Sequence, residues 1–385
     1  MNFELNEEQR LIRDTVRRLA QDVIAPRAKE VDETGRFPRE NFEALAELGF
    51  MGLPFPEAYG GAGADTVSYA LAVEEIAAAC GSTALSYAAH ISLACTPIYL
   101  FGTEEQKQRY LAPMCAGRAL GAFALTEPHA GSDASNLKTY AVRDGNEWVI
   151  NGQKMWITNG SVAEFIVVAA VTDPEKGAHG ISNFIVEADN PGFKAGKNEP
   201  KMGLKGSITS QLFFEDCRVP DSALLGRQND GFIQFMKTLD GGRISIAAMA
   251  LGLGRAAFEA ARTYATQREA FGGPIANLQA IQFKLADMAT LLEAARLLMY
   301  KAATLKDEGK PYTKEAAMAK LFASEAAERV CFEAIQIHGG MGYSREMPVE
   351  RYYRDNRLTQ IGEGTSEIMR LIIARRILRE FQVPG

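Results

Sequence analysis

The sequence predicts an α+β protein with an N-terminal helical domain, a middle antiparallel β-barrel domain and a C-terminal four-helix bundle. Three observations predict this order. Helical periodicity extends to about residue 118, short β-branched runs separated by turn residues extend to about 226, and long amphipathic stretches follow. We therefore expect domains at 1–118, 119–226 and 227–385, which suits a length of 385 residues.

The first domain begins with a clear helix start. Asn6 and Gln9 have the spacing of a capping box, and apolar residues then recur every three or four positions. Thr103 and Gln106 repeat the capping pattern later in the domain. The predicted helices after the first are 41–48, 65–79, 83–101 and 104–118.

The middle domain is predicted from its strands and one hairpin. Asp144-Gly145 separates two apolar-alternating segments, 140–143 and 147–150, and Asp-Gly favours a tight hairpin turn. Further runs rich in Val, Ile and Phe lie at 166–171, 184–186 and 211–214. We interpret this block as an antiparallel β domain.

The last domain contains four long helical patterns, at 229–266, 277–308, 313–337 and 366–381. Short connections between them are typical of an antiparallel bundle. The segment Gly252–Ala257 reads GLGRAA and matches a dinucleotide-binding fingerprint, but no strand precedes it. Because that fingerprint works only at a strand-to-helix turn, we interpret it as tight helix packing.

Charge and composition exclude several classes of protein. The net charge is −6, which argues against nucleic acid as the main partner. No consecutive apolar run reaches the ~18 residues of a membrane span. The N-terminus is acidic and polar, unlike a leader peptide. Five dispersed cysteines without a C-x-x-C pair predict buried thiols, and neither they nor the four histidines predict a metal site.

Two segments of the middle domain are candidates for ligand binding. Ala124–Asp133 places hydroxyl and small residues beside backbone N–H groups, which suits a phosphate or a ring edge. Gln153–Gly160 places Trp156 and Thr158 on the same face of a predicted strand, where they could meet a flat cofactor. Spacing alone leaves a surface loop and core packing as the alternatives.

The last domain contains two further candidates. His338 ends a helix without a nucleophile motif near it, so a structural hydrogen bond is the simpler interpretation. Glu363 lies between two glycines, directly before an apolar-periodic helix that Thr365 or Ser366 would cap. A general base is plausible there, and a solvated acid is the alternative.

Together these motifs resemble the acyl-CoA dehydrogenase family, most closely its short-chain, butyryl-type branch. LTEPHAGSD, KMWITNG, QREAFG, LQAIQFKLADMA, QIHGGMGYSREMPVERYYRD and IGEGTSEIMR occur in the family's order over essentially the whole chain. The resemblance implies FAD binding without a Rossmann fold, oxidation of an acyl-CoA and a place in fatty acid β-oxidation.

The resemblance also implies roles for particular residues. Glu363 matches the catalytic base, and Ser132, Asp240, Arg243 and Gly364 match positions that touch the acyl-CoA. Residues matching the FAD site of the same or a neighbouring subunit are Phe123, Leu125, Thr126, Gly131, Ser132, Trp156, Ile157, Thr158, Arg268, Phe271, Gln279, Gln336, Ile337, His338, Gly339, Gly340, Thr365, Ser366 and Glu367.

Four positions refine the comparison with the family. Some relatives place the base at the position of Gly242, which carries no acid here. Gly362 replaces a Tyr common in the short-chain branch and would enlarge the space beside the reacting carbons. His129 stands where Gly is common, and Ala270 replaces a frequent hydroxyl residue.

The implied reaction removes an α-proton and a β-hydride from a short- to medium-chain acyl-CoA, straight or branched, to give a trans-2-enoyl-CoA. Electrons would pass to electron-transferring flavoprotein, and the chain would form a homotetramer in a bacterial cytoplasm or a mitochondrial matrix. The alternatives are an oxygen-using acyl-CoA oxidase and a relative that has lost catalysis and acts as a binding protein.

Overall fold

A computed structural model describes residues 4–381, so the ends of the first and last predicted domains lie outside the described residues. The chain is helical to Cys115, forms strands between Gly121 and Leu225, and is mostly helical from Gly231 onward. This order confirms the predicted sequence of helical, β and helical parts.

From residue 4 onward the N-terminal part contains eight α-helices, and the capping boxes predicted at Asn6–Gln9 and Thr103–Gln106 are both formed. Two of the predicted helices are interrupted by π-helical segments, Ala89–Cys95 and Lys107–Leu111. The helices are α1 Glu7–Leu19, α2 Ala28–Thr34, α3 Arg39–Glu47, α4 Thr66–Ala79, α5 Gly81–Ala88, α6 Thr96–Phe101, α7 Glu104–Gln106 and α8 Ala112–Cys115.

The middle part is one eight-stranded sheet with its own core, which includes Trp148, Phe184 and Phe214. The predicted hairpin is present, since Asp144 pairs with Glu147. The strands are β1 Gly121–Ala124, β2 Tyr140–Asp144, β3 Glu147–Thr158, β4 Phe165–Val171, β5 Ile181–Glu187, β6 Phe193–Asn198, β7 Thr209–Pro220 and β8 Leu224–Leu225.

The sheet is mixed: most of its strand pairs are antiparallel, as predicted, and two pairs are parallel. Its order is β6-β7-β3-β2-β4-β5-β8, and β1 pairs with β4 off this path. Both β1 and β2 run parallel to β4. Parallel pairing needs a long connection between strands, and such connections leave no local turn signal in the sequence.

The C-terminal part confirms the four long helices, with a small hairpin between the first two. The elements are α9 Gly231–Gln267, β9 Glu269–Ala270, β10 Gly273–Pro274, α10 Gln279–Asp307, α11 Thr313–His338, α12 Gly340–Tyr343, α13 Val349–Asn356 and α14 Ser366–Phe381.

Helix α9 joins the two helical parts into one hydrophobic core. The GLGRAA segment lies inside this helix, as expected for packing rather than nucleotide binding. A Cβ on Gly252 would lie 2.3 Å from the carbonyl oxygen of Glu74 on α4, and one on Gly254 would lie 2.9 Å from Leu292 on α10. Glycine is therefore needed at 252 because the backbones of α9 and α4 approach closely, and at 254 because the Leu292 side chain occupies the space of a Cβ.

Two helical stretches are long and apolar enough to cross a membrane by length and composition, Gly81–Phe101 and Gly231–Gln267. The expectation that no segment reaches this threshold was too simple, since it counted only uninterrupted apolar runs. Most of both stretches is buried inside the protein (72% and 78% of the apolar window), as in the core helices of a folded domain. All five cysteines are buried thiols, as predicted.

Candidate active site

Glu363 lies on a left-handed turn directly before α14. Its φ is +53°, and that of Gly364 is +95°. A positive φ is unusual for a side chain with a Cβ, so the surrounding structure must hold this turn in place. Thr365 caps α14, since the Ile368 N–H donates to its Oγ1 at 3.3 Å. The predicted cap is thus formed by Thr365, while the Ser366 hydroxyl is buried and has no hydrogen-bond partner in the described part of the chain.

The carboxylate of Glu363 rests against the backbone of α9. A Cβ on Gly242 would lie 2.1 Å from Oε2 of Glu363 and 3.2 Å from Cδ2 of Leu93. Although the turn itself is partly exposed, Oε2 is enclosed and has no hydrogen-bond partner among the described residues. An ionisable oxygen that is buried and unpartnered can accept a proton from a ligand without first breaking a bond within the protein.

Burial raises the pKa of Glu363 to about 7, although the Lys320 ammonium and the Arg243 guanidinium each pull it down. Burial disfavours the charged carboxylate, and nearby cations favour it. A carboxylate that titrates near neutral pH is matched to proton abstraction at that pH.

Asp240 and Arg243 lie one turn apart on α9 and form a buried ion pair. Thr313 on α11 donates its hydroxyl to Asp240 Oδ2 at 2.6 Å. Burial lowers the pKa of Arg243 and raises that of Asp240. The Arg243 Nε is buried without a partner among the described residues, so one donor of this pair is available to a ligand.

The candidate binding loop of the middle domain is fixed by a fully buried ion pair. Lys154 donates to Glu127 Oε1 at 2.7 Å and to the carbonyl of Leu125 at 3.1 Å. The Met155 N–H donates to the carbonyl of Thr126 at 2.9 Å. These bonds hold the predicted residues of the loop against β3, which brings both candidate segments of this domain together.

A bulge interrupts β3 at Trp156, so the regular alternation that placed Trp156 and Thr158 on one face is broken there, and the same-face interpretation stays a prediction. Trp156 has φ +61°, and the pairing of β3 with β7 shifts register between Lys154 and Ile157. The bulge turns the indole outward, leaving Trp156 52% exposed. An exposed indole plane beside a fixed loop is still suited to stacking on a flat ring.

Another set of predicted residues lies at the other end of α9. Arg268 and Gln279 are exposed, and Phe271 at the tip of the β9–β10 hairpin is 94% exposed. His338 donates Nδ1–H to the carbonyl of Ala334 at 2.7 Å, which confirms its structural hydrogen bond. Its Nε2 is buried and has no partner among the described residues.

The predicted residues therefore form three groups. Glu363, Gly364, Asp240 and Arg243 cluster around α9, whereas the loop and β3 residues (Phe123, Leu125, Thr126, Gly131, Ser132, Trp156, Ile157, Thr158) form a second group. Gly131 and Ser132 are exposed in that loop. The third group comprises Arg268, Phe271, Gln279, Gln336, Ile337, His338, Gly339 and Gly340, and Glu367 is exposed at the start of α14.

These groups fit the FAD that the resemblance implies. Gly339 and Gly340 have open space where a Cβ would be, so a ligand can approach the backbone there. The orphaned His338 Nε2 and the exposed aromatic faces of Trp156 and Phe271 offer the acceptor and the stacking planes that a dinucleotide uses.

Sequence reasoning missed Lys320, Tyr69 and the Glu127–Lys154 pair. Lys320 is fully buried on α11, and Tyr69 on α4 is buried near enough to Glu363 for that carboxylate to help raise its pKa, after burial itself. One signal was available for Lys320. It recurs with Ala316 and Ser324 at a spacing of four on the buried face of α11.

Comparisons with known proteins agree with this geometry. The acyl-CoA dehydrogenase N-terminal, middle and C-terminal domains match residues 6–118, 122–217 and 229–378. The chain is similar to a probable acyl-CoA dehydrogenase of Bacillus subtilis, at 57% identity over 98% of this chain and 100% of that one. It is also similar to the mitochondrial short-chain specific acyl-CoA dehydrogenase of Bos taurus, at 50% identity over 99% and 92%.

The chain is also similar to a protein of known structure. A chain in a structure of the electron transferring flavoprotein of Acidaminococcus fermentans shares 51% identity, with a TM-score of 0.97, over 98% of this chain and 100% of that chain.

The fold and the site thus define a flavin-dependent oxidoreductase that acts on acyl-CoA. The chain belongs to the acyl-CoA dehydrogenase family. Its reaction is FAD-dependent acyl-CoA dehydrogenation, and its relatives include bacterial and mitochondrial proteins.

Proposed function

We propose that this enzyme converts a short- to medium-chain acyl-CoA thioester to its trans-2-enoyl-CoA, with Glu363 as the catalytic base. The observation that carries the proposal is Oε2 of Glu363, which is enclosed against Gly242 and has no hydrogen-bond partner within residues 4–381, in a carboxyl group whose pKa burial raises to about 7. The similarity to a short-chain specific relative supports the substrate class.

In this mechanism the Glu363 carboxylate takes the proton from the α-carbon, and the electrons of that C–H bond form the new double bond. The backbone N–H of Glu363 stabilises the thioester oxygen as negative charge develops there. FAD, when bound, supplies the oxidant that accepts the β-hydrogen with its electron pair. The turn formed by Glu363 and Gly364, the base turn, packs against α9. This packing keeps water away from the carboxylate, which maintains its basicity.

Substrate binding is assigned to Ser132 in the loop, to Asp240 and Arg243 on α9, and to Gly364 beside the base. The free Nε of Arg243 supports this assignment, because a buried guanidinium donor needs an acceptor. Gly362 leaves space on the base turn where a larger side chain would stand, so the pocket also admits substrates longer or more branched than butyryl-CoA. FAD binding is assigned to the groups fixed by β3 and by the α11–α12 junction.

We further propose a homotetramer in which Arg268, Phe271 and Gln279 reach the FAD of a neighbouring subunit. Large apolar side chains are exposed on α10, α11 and α12, including Phe283, Phe332 and Tyr343, and exposed apolar surface of this kind marks interfaces. The reduced enzyme would pass electrons to electron-transferring flavoprotein, in a bacterial cytoplasm or a mitochondrial matrix.

The test is anaerobic titration of the purified yellow protein with straight and branched acyl-CoAs while flavin absorbance is recorded. Wild-type protein should bleach, and Glu363→Gln should keep its FAD but not bleach. Glu308→Gln, which changes an exposed glutamate paired with Lys310, is the matched control. Full bleaching of Glu363→Gln would refute the assignment of the base. Rapid peroxide formation in air would favour an oxidase. A colourless protein would favour a relative that has lost catalysis and acts as a binding protein.

A further inference from the structure

Lys320 is a buried cation that the mechanism above does not use. It lies on α11 with no exposed surface, and its helix face is otherwise built from alanines such as Ala316 and Ala323. Burying an ammonium group costs several kcal/mol unless it is hydrogen-bonded or paired. A lysine in this position therefore needs a specific partner to be tolerated.

That partner is the turn that carries the base. The Lys320 Nζ donates to the carbonyl oxygen of Gly364 at 2.5 Å, across 44 residues of sequence. Glu363 and Gly364 both have positive φ, and this bond holds the carbonyl of the Gly364–Thr365 peptide at the end of that left-handed turn. Loss of the bond would remove one anchor of the turn that places the Glu363 carboxylate against Gly242.

The positive charge of Lys320 also favours the ionised form of Glu363, and does so more strongly than the charge of Arg243. Three groups face the Glu363 carboxylate: Lys320 from α11, Arg243 from α9 and the Tyr69 hydroxyl from α4. Arg243 is neutralised by its ion pair with Asp240, whereas the hydrogen bond of Lys320 goes to an uncharged carbonyl.

The acids near Lys320 itself do not neutralise it by contact. Glu325 is paired with Arg370 at 2.7 Å, and Glu367 is exposed at the start of α14. Much of the Lys320 charge is therefore compensated by Glu363.

We propose that Lys320 is a positioning residue for the dehydrogenation, which holds the base turn through Gly364 and places a positive charge beside the Glu363 carboxylate. The proposal rests on the role assigned to Glu363. Burial lowers the pKa of Lys320 to about 8, so the ammonium form is present at the pH where Glu363 titrates. Without the ammonium the burial of Glu363 would be less opposed, and its pKa would rise further.

The experiment measures kcat/KM for acyl-CoA against pH in wild-type protein and in Lys320→Met, Lys320→Gln and Lys320→Arg. Both neutral variants should move the acidic limb of the profile upward by about 1 pH unit or more, since an opposite charge within ~4–6 Å shifts a pKa by ~1–3 units. Lys320→Met should also lose about tenfold in kcat with little change in KM, because it cannot donate to Gly364. Lys320→Arg keeps the charge and should keep the wild-type midpoint.

Arg370→Met is the matched control, because Arg370 also links α14 to α11 but pairs with the exposed Glu325. Its profile should superimpose on that of wild-type protein. A wild-type midpoint in Lys320→Gln with normal FAD content would overturn the proposal, and so would an equal shift in Arg370→Met. If Lys320→Met does not fold, Lys320→Gln decides the question, since it retains a donor. Failure of wild-type protein to bleach with any acyl-CoA would instead refute the proposed function.

Discussion

Replacing Gly242 with alanine is a sharp test of where the base lies. The new Cβ would lie 2.1 Å from Oε2 of Glu363 and 3.2 Å from Cδ2 of Leu93. Ordinary non-bonded separations are about 3.5 Å, so the carboxylate must retreat by more than about 1 Å. Because this carboxylate ends a flexible side chain, the protein can fold around the new methyl group, but the base is displaced.

A displacement of this size typically lowers a rate about a hundredfold, which corresponds to about 3 kcal/mol in the activation barrier. We expect Gly242→Ala to keep its FAD and to lose about a hundredfold in the rate constant of flavin reduction. Stopped-flow measurement of flavin bleaching under anaerobic conditions, at saturating acyl-CoA, reports this constant directly.

Gly241→Ala provides a matched control on the same helix. Its Cβ would lie 3.6 Å from Nζ of Lys306 and 4.0 Å from the Tyr312 hydroxyl, which are ordinary contacts. Both changes replace a helix-interior glycine with alanine and gain up to about 1 kcal/mol in helix propensity. We expect Gly241→Ala to react within about threefold of wild-type protein. Equal rates in Gly242→Ala and wild-type protein would show that the reacting base is not the carboxylate against Gly242.

Three further predictions follow from the buried charges and the exposed hairpin. Glu127→Gln leaves the Lys154 ammonium buried without a counter-charge, so it should lose about 3–5 kcal/mol in the free energy of unfolding and retain FAD less well; an unchanged melting temperature would contradict this. Glu363→Gln should be more stable than wild-type protein above pH 7. The pKa of Glu363 is about 7 in the folded state and about 4.5 in the unfolded state, so wild-type protein loses folding free energy as the pH rises from 4.5 to 7. The glutamine variant has no carboxyl group to ionise and avoids this loss. The gain should approach about 3 kcal/mol and vanish near pH 4, as thermal unfolding at several pH values will show. Phe271→Asp should dissociate the proposed tetramer in sedimentation measurements, and an intact tetramer would exclude the hairpin tip from the interface.

The parts of this fold that the sequence predicted are those with local signals. The helix starts at Asn6 and Thr103 were found because each capping box lies within four residues. The β2–β3 hairpin was found because Asp-Gly specifies its turn. The turn and helix cap around Glu363 were predicted from two glycines and a hydroxyl residue, whereas its role as the base came from the resemblance and stays a prediction.

The features that the sequence did not reveal depend on distant contacts. The outward turn of Trp156 follows from a bulge set by pairing with β7, and no alternation within β3 indicates it. Parallel pairing of β1 with β4 is also a property of the whole sheet. Lys320 contacts Gly364 across 44 residues, and the four-residue spacing on α11 shows only that the lysine is buried.

Helix α9 is one continuous helix that contributes residues to two of the predicted sites. Its early turns carry Gly242 and Arg243 beside the base, and Arg268 follows directly at its far end, about 38 Å away at 1.5 Å per residue. Near the middle of the helix, Gly252 packs against the backbone of α4. If Arg268 contacts the FAD of a neighbouring subunit, as proposed, one continuous helix connects the base of each subunit with the cofactor site of the next.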